Sequence, residues 1–129
     1  KKHLLVVNAD IKTNLNFSSL IQFHYKRKFD ATIAVSKYEV KVPYGVIDYN
    51  KDGNFNKIKE KPSLINYIAA GIYILSPDFQ ILTKNKGKVD MPELLSLGKT
   101  AGFRIGLFPL YEQWTDLGSP ENLDEEGYK

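Results

Sequence analysis

Two aspartates, one near each end of the chain, and a charged tripeptide between them are the residues best placed to do chemistry. Asp10 closes the run Leu4-Leu5-Val6-Val7-Asn8-Ala9-Asp10, and Asp116 sits in Trp114-Thr115-Asp116-Leu117-Gly118. The first run is nearly continuous apolar and partly β-branched, the pattern of a strand buried on both faces of a parallel sheet. Open α/β sheets bind ligands beyond the carboxyl ends of their strands, so Asp10 stands where an active-site carboxylate is expected. The alternative for a lone Asp after a strand is a turn former or helix cap. Glu60-Lys61-Pro62 sets a carboxylate and an ammonium ahead of a residue that fixes chain direction, and its plain alternative is a charged strand end halted by proline. The surrounding elements have to decide between these readings.

Those elements alternate. After the first strand, Asn16 or Ser18 caps an expected helix through Leu20, Ile21, His24 and Tyr25 to about Lys28. Ala31 to Ser36 reads as a second buried strand. Val46–Tyr49 and Phe55–Ile58 flank Asn50-Lys51-Asp52-Gly53-Asn54 and predict a β-hairpin. Tyr67 to Leu75 is a third apolar strand stopped by Ser76-Pro77, with a short helix following through Leu82. Pro92 to Thr100 predicts a helix ended by Gly102, Arg104 to Leu110 a strand, and Pro120 the start of a last short helix. Strand and helix alternation with an inserted hairpin predicts an α/β fold with a mixed sheet. His24, beside Phe23 and Tyr25, reads as a surface or packing residue, and His3 as a chain-end residue with no partner His at metal spacing. Trp114 reads as packing.

Composition narrows the function classes. The chain has 129 residues, enough for one domain or a piece of one, and a net charge of +3. Its cations are Lys spread along the sequence with only two Arg, Arg27 and Arg104, unlike the clustered, Arg-rich surfaces that bind nucleic acid. No apolar stretch is long enough to span a membrane, and no secretory signal pattern opens the sequence. Cysteine is absent, which excludes disulfides and thiolate metal sites. The expectation is a cytoplasmic protein that acts on neither nucleic acid nor membrane, with homo-oligomer formation left open. A nucleotide-binding α/β domain usually carries a glycine-rich turn after its first strand. Here the nine glycines are dispersed, so residues 1–129 are expected to be part of a larger domain whose nucleotide-binding half lies upstream.

In order, the chain carries Val7-Asn8-Ala9-Asp10, Pro43-Tyr44-Gly45-Val46, Glu60-Lys61-Pro62, Ala69-Ala70-Gly71-Ile72-Tyr73, Asp90-Met91-Pro92 and Trp114-Thr115-Asp116-Leu117-Gly118-Ser119-Pro120. This series resembles the C-terminal half of the catalytic domain of the sugar-1-phosphate nucleotidylyltransferases, over roughly residues 4 to 123. The resemblance implies a Rossmann-like three-layer α/β sandwich, present as a partial domain. It implies a reaction in which an oxygen of a sugar 1-phosphate attacks the α-phosphate of a nucleoside triphosphate and releases pyrophosphate, with Mg2+ as cofactor. Asp10 and Asp116 match the family's metal-binding aspartates and Lys61 the lysine that contacts the sugar phosphate, making these three the catalytic candidates. Gly45, Glu60, Lys61 and Gly71 match substrate-binding positions. Ala69 departs from the pattern where members usually carry an Asn, which points to an altered sugar or to Asn66 or Asn8 serving instead.

Two other classes are weighed. A non-catalytic sensor or regulatory relative would keep the fold; Ala69 favours it, while Asp10, Lys61 and Asp116 oppose it. A related-fold glycosyltransferase would carry an Asp-x-Asp pair, which Asn8-Ala9-Asp10 matches only in part, and it gives Glu60-Lys61-Pro62 no role. The nucleotidylyltransferase reading requires Asp10 and Asp116 to share one Mg2+, and so to lie within roughly 10 Å, since its ligands sit at about 2.1 Å. The piece alone is expected not to bind nucleoside triphosphate.

Overall fold

The computed structural model describes residues 2–84 and 86–119, and the helix expected from Pro120 lies outside them. In chain order the elements are β1 (Leu4–Val7), β2 (Ile11–Thr13), α1 (Phe17–Arg27), β3 (Ala31–Lys41), β4 (Val46–Tyr49), β5 (Phe55–Lys59), β6 (Ser63–Leu75), α2 (Pro77–Gln80) with a 3₁₀ turn at Ile81–Thr83, α3 (Met91–Thr100), β7 (Ile105–Pro109) and β8 (Trp114–Asp116). They fall into two units, Lys1–Ser36 with Ala69–Lys129, and Lys37–Ile68.

The first unit is built on the sheet β1-β6-β3-β7. β1 pairs antiparallel with β6, Leu4 opposite Leu75, and β3 pairs parallel with β7, Ala31 opposite Ile105, so the sheet is mixed as expected. Alternate side chains of a strand face opposite sides, and the buried residues sort accordingly. Ala34 of β3 and Ala70, Ile72 and Ile74 of β6 join Leu15, Leu110 and Leu20 of α1 in one cluster. Ala31 and Leu75, one register step away, join Phe79 of α2 and Leu94 of α3 in another. Helices therefore cover both faces in three layers.

Local chemistry sets the helix ends. Asn16 caps α1 by accepting from the Ser19 N–H, and Lys28 closes it in a left-handed conformation (φ 53) with its N–H on the His24 and Tyr25 carbonyls. Asp90 caps α3 by accepting from the Glu93 N–H at 2.8 Å, with Pro92 in the first turn.

One expectation is corrected. Among the described residues the Leu4–Asp10 run has an antiparallel partner, where a parallel one was expected. β1 ends at Val7, runs antiparallel to β6 at the edge of the sheet, and leaves Leu4, Leu5 and Val7 between 40% and 47% exposed. An apolar run reports a preference for burial and carries no information on strand direction or on which neighbours are present.

The second unit holds the β4–β5 hairpin with the C-terminal end of β3 and the N-terminal end of β6. Ile47 pairs with Ile58 and Asp48 with Lys57, and a bulge then brings Tyr49 opposite Phe55. The Asn50 side chain accepts from the Asp52 and Asn54 N–H groups, and Gly53 takes the positive φ (+81) that the turn demands.

Candidate functional site

The first unit brings the two aspartates together. Asp10 lies in the turn leading into β2, and Asp116 is the last residue of β8. β2 and β8 pair antiparallel with Ile11 opposite Asp116, and the Leu117 N–H donates to the Asp10 carbonyl at 2.8 Å. Convergence thus comes from an antiparallel ladder outside the main sheet. Three-residue strands are too short to display a period in the sequence.

The two carboxylates meet at Gly118. Its N–H donates to Asp116 Oδ1 at 2.8 Å. A Cβ placed on Gly118 would stand 2.6 Å from Asp10 Oδ2 and 3.1 Å from Asp116 Oδ1, so both oxygens flank one point. The pair therefore meets the separation of roughly 10 Å set above for a shared ion.

Trp114 ties this ladder to the main sheet. Its indole N–H donates to the Ala70 carbonyl at 2.8 Å, and its half-buried ring packs against the α1-side core. Packing was the expected role for this residue, and the hydrogen bond adds a fixed register. The Asn14 N–H and the Thr13 hydroxyl both donate to the Gln113 carbonyl, which pins the entry to β8.

Gly71, a substrate candidate, also has a structural requirement. Its φ is +72, the Asn8 N–H donates to its carbonyl at 2.8 Å, and a Cβ there would stand 2.8 Å from Asn8 Nδ2. Only glycine satisfies both the conformation and the close approach. The Asn8 amide therefore rests against β6 two residues from Ala69.

The second unit gathers Gly45, Glu60 and Lys61. The Lys61 N–H donates to the Tyr44 carbonyl at 3.1 Å, and the Val42 N–H to the Pro62 carbonyl at 3.0 Å. A Cβ on Gly45 would stand 2.7 Å from Ile58 Cδ1 and 3.2 Å from Glu60 Oε2, so the glycine keeps space beside that carboxylate. Lys61 sits in the left-handed region at φ 44. Lys28 shares that conformation because it closes a helix, whereas Lys61 lies in the bend after β5. A non-glycine residue held there costs on the order of 1 kcal/mol.

Of the two roles expected of His24 the structure gives it packing, and its contact with His3 was not anticipated. His24 is 1% exposed; its ring nitrogens contact Thr32 Oγ1 at 2.7 Å and His3 Nδ1 at 2.9 Å. Burial lowers the His24 pKa, His3 lowers it further, and Asp30 partly offsets both. The signal for its burial was available: His24 lies four residues after the fully buried Leu20, on the inward stripe of α1. Burial likewise raises the Tyr73 pKa.

Among the described residues no group of three or more His, Asp and Glu is arranged to hold a metal ion, and no helix is long and apolar enough to cross a membrane.

Residues 1–128 match the model of the Nucleotidyl transferase family. The chain is 40% identical over 124 residues to the mannose-1-phosphate guanylyltransferase catalytic subunit beta of Drosophila pseudoobscura pseudoobscura, covering 92% of this chain and 32% of that protein. The Drosophila melanogaster protein of the same name is 30% identical over 124 residues, with the same coverage. Among solved structures, HddC from Yersinia pseudotuberculosis superposes with a TM-score of 0.63 at 23% identity, over 97% of this chain and 54% of that one. The chain spans about a third of the curated relatives' length and about half of that solved chain.

Proposed function

The chain belongs to the nucleotidyl transferase family, and from that premise we propose that the protein carrying it joins a sugar 1-phosphate to a nucleoside triphosphate. A phosphate oxygen of the sugar attacks the α-phosphorus, a new P–O bond forms, and pyrophosphate leaves. The observation that carries this reading is the meeting of Asp10 and Asp116 at Gly118. Two carboxylates are the donor set that Mg2+ takes from a protein while keeping phosphate oxygens and water as its other ligands. When bound, Mg2+ would neutralise charge on the reacting phosphates.

Other residues take roles within this reading. The Lys61 ammonium holds the sugar phosphate, and its left-handed backbone sets the direction in which the side chain leaves. Glu60 accepts from sugar hydroxyls, and Gly45 leaves the room beside it. Gly71 lets the Asn8 amide approach β6, where Asn8 supplies the polar contact that Ala69 lacks. In this reading residues 1–129 are the sugar-phosphate and metal-binding part of the catalytic domain, working in the cytoplasm.

The relatives' names make mannose 1-phosphate and GTP the first pair to test. Pyrophosphate release by the full-length protein, with Mg2+ present, should require both substrates. A protein that binds them yet releases no pyrophosphate with any common nucleoside triphosphate and hexose 1-phosphate would be a regulatory relative, the reading that Ala69 favours.

A further inference from the structure

We infer that Gly118 is a positioning residue, whose missing side chain is the space in which the Asp10 and Asp116 carboxylates stand side by side. The inference rests on the carboxylate pair of the proposed function and concerns how that pair is held.

Glycine is often required by backbone conformation, but not at this position. Gly53, Gly71 and Gly102 have positive φ, and Gly118 does not. Its φ therefore lies outside the left-handed region that disfavours alanine. What excludes it is its neighbours. The Cβ would meet Asp10 Oδ2 at 2.6 Å and Asp116 Oδ1 at 3.1 Å, with Asp10 Cγ next at 3.5 Å. The first distance is far inside the optimum for non-bonded heavy atoms, roughly 3.5 Å or more.

Which atoms are met decides the kind of damage. At Gly98 a Cβ would run into the ring of Phe79, and at Gly106 into the ring of Phe29. Phe79 is fully buried, so the clash at Gly98 falls on the core. At Gly118 the nearest atoms are the ends of two carboxylates, and Asp10 can turn about its side-chain bonds to relieve the contact. Folding is then little affected, but the turned carboxylate no longer stands beside its partner. The Gly118 N–H reinforces the arrangement by holding Asp116 Oδ1 at 2.8 Å.

Position 118 should therefore separate stability from ion binding. In the full-length protein, Gly118→Ala should keep the wild-type urea midpoint and lose Mn2+ affinity, measured by electron paramagnetic resonance, by about tenfold or more. Gly98→Ala should do the reverse, lowering the urea midpoint and keeping the affinity. Wild-type Mn2+ affinity in Gly118→Ala would overturn the inference. So would a midpoint for Gly118→Ala as low as that of Gly98→Ala, which would make the glycine a folding requirement. Asp10→Asn and Asp116→Asn separate this from the underlying reading. If neither changes Mn2+ binding, the carboxylate pair itself is not the ion site, whatever Gly118 does.

Discussion

Every buried residue among those described lies between Leu15 and Val35 or between Ala70 and Leu110, and not one lies in Lys37–Ile68. The first unit closes two cores on opposite faces of a sheet, with Leu20, Ile72 and Phe79 essentially excluded from solvent. The second carries its apolar groups in the open, with Ile47, Tyr49, Phe55 and Ile58 between 49% and 66% exposed. Those four residues share one side of the β4–β5 ribbon through the pairs Ile47–Ile58 and Tyr49–Phe55, while Asp48 and Lys57 pair on the other. A two-stranded ribbon is marginal alone. Candidate residues in the two units are consequently fixed by different means. Asp10 and Asp116 are held by a ladder anchored to a packed core through Trp114, whereas Glu60 and Lys61 are held by backbone geometry and a few hydrogen bonds.

The comparison breaks most directly at the core. Phe79→Ala should cost about 3–5 kcal/mol, whereas Phe55→Ala, at a ring 64% exposed, should stay within about 0.5 kcal/mol. Urea midpoints of the full-length protein would show it, and equal losses would mean that the ribbon's apolar side is covered in solution. Next come the carboxylates. Asp10→Asn and Asp116→Asn should each lower kcat about 100-fold or more, and the double variant should add little, because groups that act as a unit are not additive. Losses that multiply would show two independent residues.

Lys61→Ala should raise KM for the sugar phosphate about tenfold and leave KM for the nucleotide near wild type, with both substrates varied. Equal changes in both would take Lys61 out of the sugar-phosphate site.

The smallest expected effect belongs to the buried histidine. Burial depresses the His24 pKa, so the folded state takes up a proton less readily than the unfolded one. The contribution is complete above the ordinary His pKa of about 6.5 and is lost as pH falls from there through the folded value. Urea midpoints should therefore drop between pH 7.5 and 5.5, and His24→Gln should flatten that slope. A slope unchanged by the substitution would assign it to other groups.

What the sequence made legible follows from how each signal is written. α1 was readable because Asn16 and the Leu20 stripe act locally, and the hairpin because Asn50 to Gly53 spells its own turn. The mixed sheet came from the alternation of strands and helices, and the helices on both its faces were implied by the family resemblance. The pairing of β2 with β8 was not legible, since its register depends on contacts between residues a hundred positions apart, such as Thr13 with Gln113. The antiparallel direction of β1 was hidden for the same reason. Asp10, Asp116, Glu60 and Lys61 were singled out as candidates through motif order. What brings the aspartates together, the β2–β8 ladder, and the glycine that stands between their carboxylates are visible only in three dimensions.

The conformation of Lys61 sets a limit on engineering this protein. Asparagine enters the left-handed region more readily than lysine does, so Lys61→Asn would relax the backbone while removing the ammonium. With Lys61 in its proposed role, thermal tolerance would rise as use of the sugar phosphate fell. A selection for heat resistance alone would thus draw position 61 away from lysine, and a screen that reads only folded yield would reward the loss.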